Sequence, residues 1–145
     1  MKNNILIAFF LLSSTYCFSQ TEIYWWDLAR INYTEKFFPA YGENFLYPEF
    51  SEHMKSLEGK KVALTGYFLN IDPSGKMFIL SKNPMASCFF CGMGGPETAV
   101  ELQFKSKPTF KTDDVLYVTG TLKLNKDDVQ HFNYIMTDCE AQKME

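Results

Sequence analysis

The sequence predicts a mainly β protein: a five-stranded, OB-like barrel preceded by an aromatic-rich N-terminal arm with one or two short helices. Two observations predict it. Five segments after residue 60 are rich in aliphatic, β-branched and aromatic residues and are bounded by Gly, Pro, Asn or Asp clusters, the pattern of strands and turns. Two of them also share a local signature. Val62-Ala63-Leu64-Thr65-Gly66-Tyr67-Phe68 lines up with Leu116-Tyr117-Val118-Thr119-Gly120-Thr121-Leu122. A glycine inside a long strand marks a bulge or a sharp coil, and small closed barrels need that coiling. Glycine-bent first and fourth strands among five are the pattern of an OB-like barrel, although the spacing alone also fits a small β-sandwich.

The strands follow in order. The first spans 61–71 and turns at Asp72-Pro73-Ser74-Gly75 into a second at 77–81. A loop covers 83–96. The third strand, 98–104, places Val100, Leu102 and Phe104 on one face by alternation. After a connection at 108–114 comes the fourth, 115–124, with Leu116, Val118, Leu122 and Leu124 inward. A polar turn at 125–128 leads to the fifth, 131–139, and a polar tail closes the chain.

The segment ahead of the barrel divides in two. Residues 1–19 read as a secretory signal: Lys2, an apolar centre from Ile5 to Leu12, and Cys17-Phe18-Ser19 before a cut that leaves Gln20 first. The apolar run is too short for a membrane span. Lipid attachment at Cys17 is the rival reading, but Tyr16 and Ser14 stand where a small residue and a leucine belong. Residues 20–58 form the arm, in which ten of the 27 residues from Tyr24 to Phe50 are aromatic. Trp25, Leu28 and Ile31 share one helical face, prolines and scattered aromatics from Asn32 to Pro48 suggest an extended run, and 50–59 reads as a helix capped by Ser51 and stopped by Gly59. So dense an aromatic content is expected to pack on the barrel, which spans 59–145; an aromatic ligand-binding face is the sharper alternative.

Cleavage after Ser19 leaves 126 of the 145 residues, one domain by length, and takes the net charge from −3 to −4. No basic patch stands out, which with export argues against a nucleic-acid partner and leaves a protein or a small ligand. Export also implies an oxidising compartment, periplasmic or extracellular, where thiols pair or hold metal.

Three cysteines remain after cleavage: Cys88, Cys91 and Cys139. The stretch Cys88-Phe89-Phe90-Cys91-Gly92 is the chemical focus of the chain. Two intervening residues let both sulfurs face one point, and Gly92 can take the positive φ that a Cβ resists. The turn suits a metal knuckle or a short disulfide.

The run Leu57-Glu58-Gly59-Lys60-Lys61-Val62-Ala63-Leu64-Thr65-Gly66-Tyr67, then Ile79-Leu80-Ser81, Cys88-Phe89-Phe90-Cys91-Gly92 and Gly95-Pro96-Glu97, resembles an uncharacterised family of small exported bacterial proteins. The resemblance covers most of the mature chain, and the cysteine loop is its most specific part. It implies an OB-like core and a secreted or periplasmic location, and it brings no known activity or ligand.

Three chemistries compete for the cysteine loop. As a metal site, Cys88 and Cys91 supply two thiolates for zinc or copper, with Cys139, Glu97, His131 or His53 as candidates to complete the set. Met85 and Met93 flank the pair, and thioethers favour copper(I). As a structural disulfide, the loop would be steadied by a bond within the pair or to Cys139. As a thiol–disulfide redox centre, the first cysteine should stand at a helix N-terminus, but Gly92, Gly94, Gly95 and Pro96 cannot sustain a helix. No catalytic or cofactor-binding residue is assigned: there is no Gly-x-Ser-x-Gly elbow and no phosphate loop. The reading that follows is an exported accessory or binding domain, more readily a non-enzyme, with the cysteine loop as its metal or partner site. Phe89 and Phe90 are candidate partner contacts or plugs for the barrel end.

Overall fold

A computed structural model of the chain describes residues 20–72, 74 and 77–145, except the Phe90 side chain; the expected signal at 1–19 and part of the expected 72–75 turn lie outside the described residues. The elements are β1 (Thr21–Glu22), α1 (Trp25–Leu28), β2 (Ile31–Phe38), β3 (Glu43–Phe50), α2 (Glu52–Leu57), β4 (Lys61–Asn70), β5 (Phe78–Ser81), β6 (Ala99–Phe104), β7 (Val115–Leu124) and β8 (Tyr134–Lys143). The cysteine loop between β5 and β6 holds three single 3-10 turns: Met85–Ser87, Phe89–Cys91 and Pro96–Thr98.

Five strands close a barrel in the order β4-β5-β6-β8-β7, with β7 pairing back onto β4. The β6–β8 pair is parallel and the other barrel pairs are antiparallel. This is the OB-like arrangement expected from the sequence. Closure depends on β4 serving two neighbours: Lys61–Tyr67 pairs with β7, and Tyr67–Asn70 with β5. The change of partner falls beside Gly66. A Cβ there would lie 2.7 Å from the Ser81 carbonyl and 2.9 Å from both Leu80 Cγ and Trp25 Cζ2, so only glycine lets the three approach. Gly120, the matching glycine, stands at a register break between Thr119 and Thr121. Opposite it, Asp138 takes φ 52°, which is the extra residue of a β-bulge.

The barrel interior is filled by alternate residues of every strand, among them Leu64, Phe68, Leu80, Val100, Val118 and Met136. The N-terminal region joins the same core through Ile23, Leu28, Phe50, Met54 and Leu57. Helix α2 is capped as its sequence requires: Ser51 Oγ accepts from the Met54 N–H at 3.3 Å, and Gly59 follows at φ +77°. Trp25 lies over Gly66 with its indole N–H donating to the Thr65 carbonyl at 2.8 Å, and the buried Tyr134 hydroxyl donates to the Leu28 carbonyl at 3.0 Å. Short elements that could not hold alone are thus fixed to the barrel by aromatic groups with a polar handle.

Two elements differ from the expectation. The extended run after α1 is a hairpin, β2–β3, paired from Ile31↔Phe50 to Phe38↔Glu43 and closed by a turn at 39–42 in which Gly42 takes φ +68°. Its proximal side chains, Pro48 and Phe50, are buried, but Phe37 and Leu46 near its far end are 57% and 56% exposed. The hairpin is therefore anchored at its base and projects at its tip. The fifth strand begins at Tyr134, not 131, and the expected polar tail continues it to Lys143, pairing with Leu116. The bulge at Asp138 resets the alternation, so Cys139 and Ala141 face inward and Glu140 between them faces out.

No described helix is long and apolar enough to cross a membrane.

Candidate functional site: the cysteine loop and the groove beside it

Phe89, a candidate plug for the barrel end, packs on the outer face of the sheet instead, and the Phe90 side chain lies outside the described residues. The cysteine loop folds over the outer face of β4, β5 and β6, where Leu69, Ile79, Ala99 and Cys88 form a second buried cluster with Met85, Phe89 and Phe132 packed against it. These strand residues alternate with the interior ones, so the loop's core and the barrel's core lie on opposite faces of one sheet.

Within the loop, Cys88 ends one 3-10 turn and begins the next, and it is fully buried. Cys91 is exposed, and Gly92 after it adopts φ +77°, the left-handed conformation expected of a knuckle glycine. The Cys91 and Gly92 N–H groups donate to the Cys88 and Phe89 carbonyls, both at 3.0 Å, which holds the turn tight. The two sulfurs are 4.0 Å apart, and the Cys91 thiol also donates to the Met85 carbonyl at 3.2 Å. The contact with Cys88 pushes the Cys91 thiol above its ordinary pKa, because a second sulfur at that distance disfavours a thiolate. Both cysteines are free thiols, as is Cys139.

The remaining candidate ligands are not brought to this pair. Cys139 faces the barrel interior, beyond the sheet from Cys88, and its thiol donates to the Met136 carbonyl at 3.1 Å. Burial pushes its pKa up to about 12. Glu97 folds back over Gly95 and its Oε2 lies 3.4 Å from the Tyr33 hydroxyl, which ties the loop to the hairpin base. His53 stands on α2, 4.0 Å from Asp27. His131 is held by Glu101. Among the described residues, no three of His, Cys, Asp and Glu are grouped to hold a metal ion. The four-ligand set built around Cys139, Glu97 and His131 is therefore not assembled, and Cys88–Cys91 stands as a two-thiol site.

Beside it lies a pair that the sequence did not single out. Glu101, on the outer face of β6, is 4% exposed. Its carboxylate receives His131 Nδ1 at 2.9 Å, the Phe132 N–H at 3.3 Å and Gln103 Nε2 at 2.9 Å. A signal was present: Glu101 shares its face with Ala99, and a carboxylate on a covered face needs a partner. His131 Nε2 is directed away, 4.0 Å from Asp128 Oδ2.

His131 lines a groove of about 360 Å³. Its walls come from three places: Phe45 and Leu46 of the hairpin, Phe89 and Pro96 of the cysteine loop, and residues 126 and 128–133 of the β7–β8 connection. That connection is shaped by Asn125, whose side chain donates to the Asp128, His131 and Phe132 carbonyls and accepts from the Asp128 N–H. The Tyr33 hydroxyl donates to Glu97 at 3.4 Å and accepts from Asn133 at 3.3 Å, which ties the hairpin to both loops, and burial pushes its pKa up to about 12. Compared with known proteins, the chain matches no family model and no curated protein.

Proposed function

We propose that this chain is a small exported binding module whose cysteine loop takes up a soft metal ion, copper(I) ahead of zinc. The observation that carries the reading is the Cys88–Cys91 sulfur separation of 4.0 Å. Two thiolates on one tetrahedral metal, each about 2.3 Å from it, stand about 3.8 Å apart, so an ion fits between these sulfurs with little movement. The donor set then chooses the ion. Zinc in a structural site wants four ligands, and the loop offers two thiolates. Copper(I) is soft and is selected by thiolate and thioether, and Met85 and Met93 stand within three residues of the pair. A redox role is not favoured by the local fold, because Cys88 begins a single 3-10 turn that Gly92 ends and has no helix N-terminus to lower its pKa.

The test is native mass spectrometry of the exported protein, purified without chelator or reductant, followed by copper(I) competition against a chromophoric chelator. Cys91→Ser is the informative variant, because Cys91 is exposed whereas serine at buried Cys88 would also disturb the packing against Leu69 and Ile79. One copper per chain is expected, with retention lost in Cys91→Ser. A chain lighter by two hydrogens that takes up no metal would replace this reading with a structural disulfide. The same spectrum reports whether the mature chain starts at Gln20.

A further inference from the structure

The groove beside the cysteine loop is a second, separate site, and we infer that it binds a small molecule with an apolar body and a carboxylate end. Two features on different elements converge on this. Phe45 and Leu46 on one side and Phe89 on the other give walls suited to an alkyl chain or an aromatic ring. At the polar end stand His131 and Lys126.

His131 is a built element and not a stray surface imidazole. The ring is locked through Nδ1 by Glu101, a carboxylate that is itself 4% exposed and takes two further donors. A buried carboxylate on Nδ1 fixes the ring's orientation and holds the Nδ1 proton, so that the imidazolium form presents Nε2–H to the groove as its second donor. Lys126 is the second group at the polar end. Its Nζ lies 5.9 Å from the Phe50 ring centre, and among the described residues it makes no ion pair. The carboxylate in the lining, Asp128, has its Oδ1 engaged by the Gln130 N–H at 3.0 Å, and its Oδ2 stands 4.0 Å from His131 Nε2, beyond hydrogen-bond distance. An acceptor with a negative charge therefore finds the Lys126 ammonium and, by moving in between Asp128 and the ring, the outward edge of His131.

The experiment is calorimetric titration of the mature protein at pH 6 with three probes of one body and different ends: octanoate, 1-octanol and octylamine. Octanoate is expected to bind at least tenfold more tightly than 1-octanol, and octylamine more weakly than either. Lys126→Met, an exposed substitution that leaves the fold intact, should bring octanoate close to 1-octanol while 1-octanol binding is retained; His131→Gln should do the same. Equal binding of octanoate and 1-octanol, or a preference that survives both substitutions, overturns the carboxylate assignment. Failure of all three probes to bind overturns the groove as a ligand site. Neither result bears on copper uptake, because Cys91→Ser leaves the groove lining unchanged.

Discussion

Replacing Glu101 tests whether one buried carboxylate organises the groove. In Glu101→Ala three donors lose their acceptor: the His131 ring, the Gln103 amide and the Phe132 backbone N–H. Removing one member of a fully buried ion pair costs about 3–5 kcal/mol. His131 is 41% exposed, so water can take over its half of the pair and the charge contribution falls below that range. The backbone N–H of Phe132 lies in a part-buried bond, and an orphaned buried donor costs about 1–3 kcal/mol. Together these give a loss of about 2–4 kcal/mol. For a domain near this size, that corresponds to a fall in Tm of roughly 8–15 °C. Glu101→Gln keeps an acceptor for the N–H and should lose about 1 kcal/mol. Urea unfolding with linear extrapolation measures both. An alanine variant within about 0.5 kcal/mol of the parent would refute the reasoning, since that is the range of an inconsequential surface change. Equal losses in the two variants would place the cost in the charge and not in the orphaned N–H.

Two further predictions follow from the barrel itself. Gly66→Ala puts a methyl 2.7 Å from the Ser81 carbonyl and 2.9 Å from the Trp25 ring, so it should cost about 1–3 kcal/mol in urea unfolding; an unchanged midpoint would mean that β4 does not need its glycine pivot. Cys139 has a folded pKa raised from 9.0 to about 12, so the folded chain holds a proton that the unfolded chain gives up. Its contribution is complete below pH 9 and is lost as the pH rises from there towards 12. Stability should fall through that window, with a shallower slope in Cys139→Ala; an identical slope would remove the buried thiol as a cause.

The barrel was legible because its rules are local. Alternation separates an inside from an outside, and two Thr-Gly steps mark where β4 and β7 must coil; both glycines are found against backbone carbonyls that a Cβ would strike. The hairpin was less legible because its strand signal is diluted. Pro48 within β3 argued against a strand, yet proline is tolerated in a two-stranded ribbon, and Gly42 after Pro39 was the turn signal that mattered. Aromatic density was a partial guide. It implied burial, which holds for Trp25 and Phe50 beside the barrel, whereas Phe37 and Tyr41 near the hairpin tip are exposed.

The site shows a sharper limit. Whether Cys139 could join Cys88 and Cys91 depended on which face of the last strand it occupies. Strict alternation from Tyr134 and Met136 puts residue 138 inward and Cys139 outward, on the same side of the sheet as the loop. The structure reverses this with one residue: Asp138 enters the left-handed region at φ 52°, opposite Gly120, and the strand's facing inverts after it. Cys139 then points into the core, with its sulfur 3.2 Å from where a Gly120 Cβ would be, and the sheet separates it from the pair. Aspartate is among the few residues that accept this conformation, and Gly120 is the neighbour that makes room for the inward sulfur. Each residue was visible in the sequence, but their meeting across β7 and β8 was not. That meeting leaves Cys88 and Cys91 as a pair of thiols without Cys139, and the proposal of copper(I) ahead of zinc rests on a donor set of that size.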